Sequence, residues 1–156
     1  MNYHTTTRVP VNDEYAGLVG KAVYIFAYYE WTVIWIIEKF SPGFVGIYSR
    51  GKPMTSGAVL KNLRRTVADM NSLPEGVTRE DLIKLIEQFS ALIIKRNALI
   101  HAHPCTDNDG SQILSYQTNT TQPLPDMKWP VSEVESLIYE IDRTACETAS
   151  LLEKLR

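Results

Sequence analysis

The chain has 156 residues, 44% of them hydrophobic and 22% charged, which suits one soluble globular domain with a sizeable core and excludes a disordered chain. A formal charge of −2 at pH 7 argues against a surface that binds nucleic acid all over, although a local basic patch escapes that average. Cys105 and Cys146 match no metal spacing and read as reduced thiols of a cytoplasmic protein.

Residues 1–11 are polar, lack the apolar centre of a secretory signal, and are predicted to form a flexible N-terminal arm. Residues 12–156 then read as a single helical domain. Asn12 and Asp13 open a first helix that runs to Phe40, with Leu18, Ala22, Val23, Phe26, Val33, Ile36, Ile37 and Phe40 at helical spacing. Tyr24, Trp31 and Trp35 fall partly off this stripe, so the helix is apolar on two sides, one for its own core and one suited to a partner subunit. Residues 18–37 are about as long as a bilayer span. Lys21, the internal Glu30 and the scattered aromatic residues predict a buried helix in a soluble protein instead, with no membrane partner.

Ser41-Pro42-Gly43 stops the first helix, and residues 43–55 read as a connector. Thr55 or Ser56 caps a second helix to about Met70, apolar at Val59, Leu60, Leu63 and Val67 and basic at Lys61, Arg64 and Arg65. Thr78 with Asp81 resembles a capping box for a third helix, whose stripe is Leu82, Leu85, Ile86, Phe89, Leu92, Ile93 and Leu99. Pro104 ends it soon after His101 and His103.

Periodicity changes after Cys105. Asp107 to Gly110 signals a turn, Gln112 to Gln117 a short strand, Asn119 to Pro123 another turn, and Met127 to Trp129 a returning strand. A small hairpin or loop insertion is therefore expected before the last helix. Ser132 and Glu135 make a capping box for that helix, which continues to about Leu155. The fold class expected is all-α, an antiparallel up-down four-helix bundle with this insertion.

The third helix ends in Arg96-Asn97-Ala98-Leu99-Ile100-His101, the one segment that reads as chemistry. Arg96 keeps its proton and presents a planar fork suited to phosphate, while the imidazole of a histidine exchanges protons near neutrality. Asn97 and His101 lie four apart and share a face; Arg96 is rotated from His101 by about 140°, so the two converge only on a groove beside the helix. A cation and an imidazole without a carboxylate cluster point to metal-independent cleavage of a phosphodiester, with no cofactor. RNA carries the internal 2′-hydroxyl nucleophile that such a site needs. One His per chain serves one proton transfer, and two chains across a two-fold axis would supply both.

Each of these residues has a plainer reading beside the functional one. Arg96 can answer the helix dipole, His101 can cap the helix end, and His103 before Pro104 can be structural. Glu30 lies amid Tyr28, Tyr29 and Trp31; it either faces solvent or is buried against Arg96, where it would hold the guanidinium fork. Arg64 and Arg65 serve as an RNA-backbone track or as a solvated helix face.

A helical bundle whose penultimate long helix ends in Arg-Asn-x-x-x-His resembles the HEPN superfamily, whose hallmark is Arg, four to six residues, then His. Arg96 to His101 has the four-residue spacing, and His103 falls at six. The resemblance covers the order of helices from about residue 13 to 155, while the motif itself is a few residues. It implies a homodimer with the motif at its interface, cutting RNA without metal and leaving a cyclic phosphate. It also implies a setting in toxin–antitoxin or antiphage systems, where an antitoxin or other regulatory protein is a partner. Under it Arg96 and His101 are catalytic, and Asn97, His103, Arg64 and Arg65 bind or position substrate. Inactive members that dimerise or bind nucleotides give the alternative.

Overall fold

The computed structural model describes residues 10–117 and 127–156; the expected turn at Asn119 to Pro123 and most of the N-terminal arm lie outside them. In chain order the elements are α1 (Asp13–Phe40), α2 (Phe44–Arg50), α3 (Ser56–Ala68), α4 (Arg79–Ile100), β1 (His103–Thr106), β2 (Gln112–Tyr116), β3 (Met127–Trp129) and α5 (Val131–Lys154). The chain is mostly helical, with one small antiparallel sheet in the order β1-β2-β3.

Local chemistry sets the helix ends. The Asn12 side chain accepts from the Tyr15 amide at 3.1 Å, and Asp13 and Glu14 complement the first turn of α1. Thr55 caps α3, and Thr78 and Asp81 close a reciprocal capping box on α4. Two corrections concern caps. The expected box of Ser132 and Glu135 is not formed, because Trp129 still pairs in β3 and Pro130 supplies the extended residue from which α5 starts. Residues 43–55 are not all connector, since Phe44–Arg50 is helical. Gly43 enters α2 at φ +98°, a conformation that favours glycine, and the Glu38 carboxylate of α1 accepts from the Gly43 and Val45 amides at 2.9 and 2.8 Å. A carboxylate five residues upstream thus does the capping that α2 lacks locally.

The core gathers the inward faces of the long helices around Phe26, Tyr29 and Phe89. Phe26 stacks on Phe89 at 6.3 Å, and Tyr29 meets Phe89 edge-on at 5.6 Å. Val23, expected inside, is 41% exposed, and Tyr29 and Ile34 are fully buried instead.

Side-chain contacts give the helix directions. Arg64 reaches Ser90 while Arg96 reaches Ser56, so α3 and α4 are antiparallel. Lys84 pairs with Glu147 and Lys95 with Glu140, so α4 and α5 are antiparallel too. Tyr15 meets Trp129, just before α5, and Tyr29 lies beside Thr148, so α1 runs parallel to α5. The expected up-down alternation is therefore corrected: α1, α3 and α5 run one way and α4 the other. The physical reason is the stretch between α1 and α3. α2 turns back along α1, setting Tyr48 against Trp31 at 6.0 Å, and returns the chain so that α3 repeats the direction of α1.

The sheet docks across one end of the helices. The buried Tyr15 hydroxyl donates to the Trp129 carbonyl at 2.6 Å and accepts from the Leu114 amide at 2.9 Å; the Trp129 indole donates to the Ala98 carbonyl at 3.2 Å. The expected hairpin is β2 and β3; β1 is an addition, an edge strand in which Pro104 is tolerated.

Candidate functional site

Arg96 lies in the seam between α1, α3 and α4. Its guanidinium carbon stands 4.6 Å from the centre of the Phe26 ring, and Nη2 donates to the Ser56 hydroxyl. Burial pulls the Arg96 pKa down, and the nearby Glu30 carboxylate pushes it back up. The same carboxylate adds to the burial that raises the Tyr48 phenol. Glu30 and Arg96 therefore share the seam, one of the two placements the sequence left open for Glu30. They do not close a direct ion pair: among the described residues, Glu30 Oε2 and Arg96 Nε are both buried without a hydrogen-bond partner. The Glu30 carboxylate thus favours the charged guanidinium across a poorly solvated seam.

His101 has the opposite surroundings. It is the exposed C-cap of α4, and its backbone N–H donates to the Asn97 carbonyl at 3.0 Å. Asn97 is half-buried one turn before it. Arg96 and His101 are separated by about 7.5 Å along the helix axis. Among the described residues no hydrogen bond joins their side chains. His103 is exposed at the start of β1, opposite Ser115.

The two α3 arginines point elsewhere. Arg64 lies 3.5 Å from Ser90, about 12 Å along α3 from Ser56. Arg65 donates to Asn62 at 2.7 Å and lines a separate open cleft of about 700 Å³, together with Lys39, Asn62 and Asp69. The structure thus gathers Arg96, Glu30 and Ser56, places Asn97 and His101 at the helix exit, and sets Arg65 apart from both. No three His, Cys, Asp or Glu side chains gather as a metal site among the described residues. No helix among them is long and apolar enough to cross a membrane.

Phe26 and Ser56 were not evident as partners of Arg96. Ser56 left a signal: α3 has two adjacent hydroxyls and needs one cap. Thr55 takes that task, accepting from Ala58 at 3.1 Å, and the buried Ser56 hydroxyl is left to find another partner. Phe26 is on the apolar stripe of α1, and nothing in the stripe separates a core ring from one that carries a cation.

No family model, curated protein or solved structure matches the chain.

Proposed function

We propose that the chain is a metal-independent endoribonuclease of HEPN type, built on a bundle of its four long helices and acting as a homodimer. The observation that carries this reading is the contrast along the last two turns of α4. Arg96 is held in place by Phe26, Ser56 and Glu30, while His101 stands open to solvent beyond it. A fixed permanent cation suits charge that develops on phosphorus oxygens, and an exposed imidazole suits proton exchange. In the reaction the 2′-oxygen attacks phosphorus as the bond to the 5′-oxygen breaks, giving a cyclic phosphate and a 5′-hydroxyl. His101 of one chain accepts the 2′-proton and His101 of the second chain protonates the leaving oxygen. Arg96 stabilises the transition state, and Asn97 positions the phosphate. Ser56 takes one of the five guanidinium donors and leaves others for substrate. His103, Arg64 and Arg65 are assigned to the flanking RNA, and an antitoxin-like protein to regulation.

The second reading is a catalytically silent module that dimerises or binds nucleotides and works with a partner protein. The inward engagement of the Arg96 fork by Ser56 and Phe26 favours it, since those contacts also make a purely structural lock.

Cleavage of a mixed-sequence RNA in excess chelator separates the two. The ribonuclease reading expects the wild type to cut and to leave cyclic phosphate ends, with cutting abolished in His101→Ala. Folded wild-type protein that leaves the RNA intact supports the silent module.

A further inference from the structure

A cleft of about 700 Å³ opens between the end of α1, α2 and the last turns of α3, apart from the Arg96 seam. Its Arg65 stands about 13.5 Å along α3 from Ser56. We propose that this cleft binds a phosphomonoester carried on a polyhydroxylated ring, a sugar phosphate. Lys39 and Arg65 hold the phosphate, and Asp69 accepts from the ring hydroxyls.

Arg65 is positioned without being neutralised. The Asn62 side chain donates to the Ala58 carbonyl at 2.9 Å, which fixes the amide, and its Oδ1 accepts from the Arg65 guanidinium at 2.7 Å. A cation in a last turn ordinarily answers the helix dipole. Here Asn62 draws the fork back one turn, away from the last carbonyls of α3. The acceptor is neutral, so the guanidinium keeps its full charge and most of its five donors. Asp69 follows four residues later, a spacing at which opposite charges pair on a helix. They do not pair. Among the described residues Lys39, Arg65 and Asp69 close no ion pair, and all three are exposed and line the cleft.

Two cations from different helices suit a phosphate dianion better than the single charge of a diester. A carboxylate in the same cleft repels a bare anion, so its presence asks for hydrogen-bond donors on the ligand, and ring hydroxyls supply them. Ser41, Thr66 and Asn71 add polar partners, while Phe40 and the exposed Ile47 offer an apolar wall to ring carbons. The volume falls within the range of small-molecule pockets, about 300–1,000 Å³. In the functional reading above Arg65 meets flanking RNA. A phosphorylated strand end presents the same chemistry as a free sugar phosphate, and the test separates the two sources.

Isothermal titration calorimetry of the full chain with ribose 5-phosphate tests the proposal without any cleavage step, so its failure is distinct from failure of the ribonuclease reading. Binding should be saturable and weakened roughly tenfold or more in Arg65→Ala and in Lys39→Ala. Lys61→Ala, which removes an exposed α3 cation outside the cleft, should leave it unchanged. Asp69→Ala should lower the preference for ribose 5-phosphate over inorganic phosphate by roughly tenfold, a split that a merely basic surface does not produce. All four side chains are exposed, so each variant should keep the helical circular dichroism of the wild type. A 2′-O-methyl oligonucleotide with and without a 5′-phosphate then identifies the source. A phosphate-dependent gain that Arg65→Ala removes assigns the cleft to strand ends; the absence of such a gain assigns it to the free sugar phosphate. No saturable binding of ribose 5-phosphate at millimolar concentration overturns the proposal. So does an equal loss in Lys61→Ala, or inorganic phosphate bound as tightly as ribose 5-phosphate.

Discussion

Arg96 and His101 sit five residues apart on one helix and could hardly be placed more differently. Arg96 is tied into the packing of three helices, stacked on Phe26, bonded to Ser56 and biased by Glu30. His101 closes the helix with its backbone and leaves its ring to solvent. The difference follows what each group does best. A guanidinium gains from being fixed and keeps its proton even though burial costs it solvation. An imidazole needs access to water to be recharged. The sheet that follows His101 is anchored through Tyr15 and through Trp129, whose indole bonds the Ala98 carbonyl inside the motif, so the open end is tied to the sheet through the backbone of α4.

That contrast can be broken from the buried side first. Phe26→Ala removes a core ring and the floor beneath Arg96, and chemical denaturation should show a loss of about 3–5 kcal/mol. Tyr15→Phe keeps the ring and strands the Trp129 carbonyl and Leu114 amide; about 1–3 kcal/mol should be lost, with amide exchange of β2 accelerated. Acid acts on the caps. Glu38 and Asp81 titrate below their ordinary values because backbone amides bind their carboxylates. A carboxylate with a lowered folded pKa stabilises the protein above its unfolded value, and that contribution is lost as pH falls through the lowered one. The melting temperature should therefore hold steady from neutrality to about pH 5 and fall as acidity goes below about pH 4. At the open end the effect should be smallest: His101→Ala should change stability by no more than ~0.5 kcal/mol.

The long helices were legible because their signals are local. Asp13–Phe40 and the Thr78 capping box follow from caps and apolar spacing, and both were expected where they stand. α2 was not legible because its cap comes from Glu38 in another helix. β1 was hidden by Pro104 and by the absence of alternation in His103–Thr106. The parallel course of α1 and α3 depends on how α2 turns the connector, a tertiary matter that helix count does not contain. At the site, the sequence left Glu30 either facing solvent or buried against Arg96, because a carboxylate among aromatic residues needs a counter-charge only if it is buried; it lies near Arg96 without a direct ion pair. Ser56 and Phe26 could not be placed from the sequence, since their meeting with Arg96 requires the helix seam itself. The two halves of the motif differ in the same way: its composition is local, and its environment is not.

The most direct test asks whether those two surroundings serve one reaction. RNA cleavage in excess chelator would be compared for the wild type, Arg96→Ala, His101→Ala and the double variant, each shown to be folded. Groups that act as a unit are non-additive, so each single change should remove nearly all activity and the double should be no worse than either. Cleavage unchanged by either substitution, or losses that simply multiply in the double, would contradict a shared site.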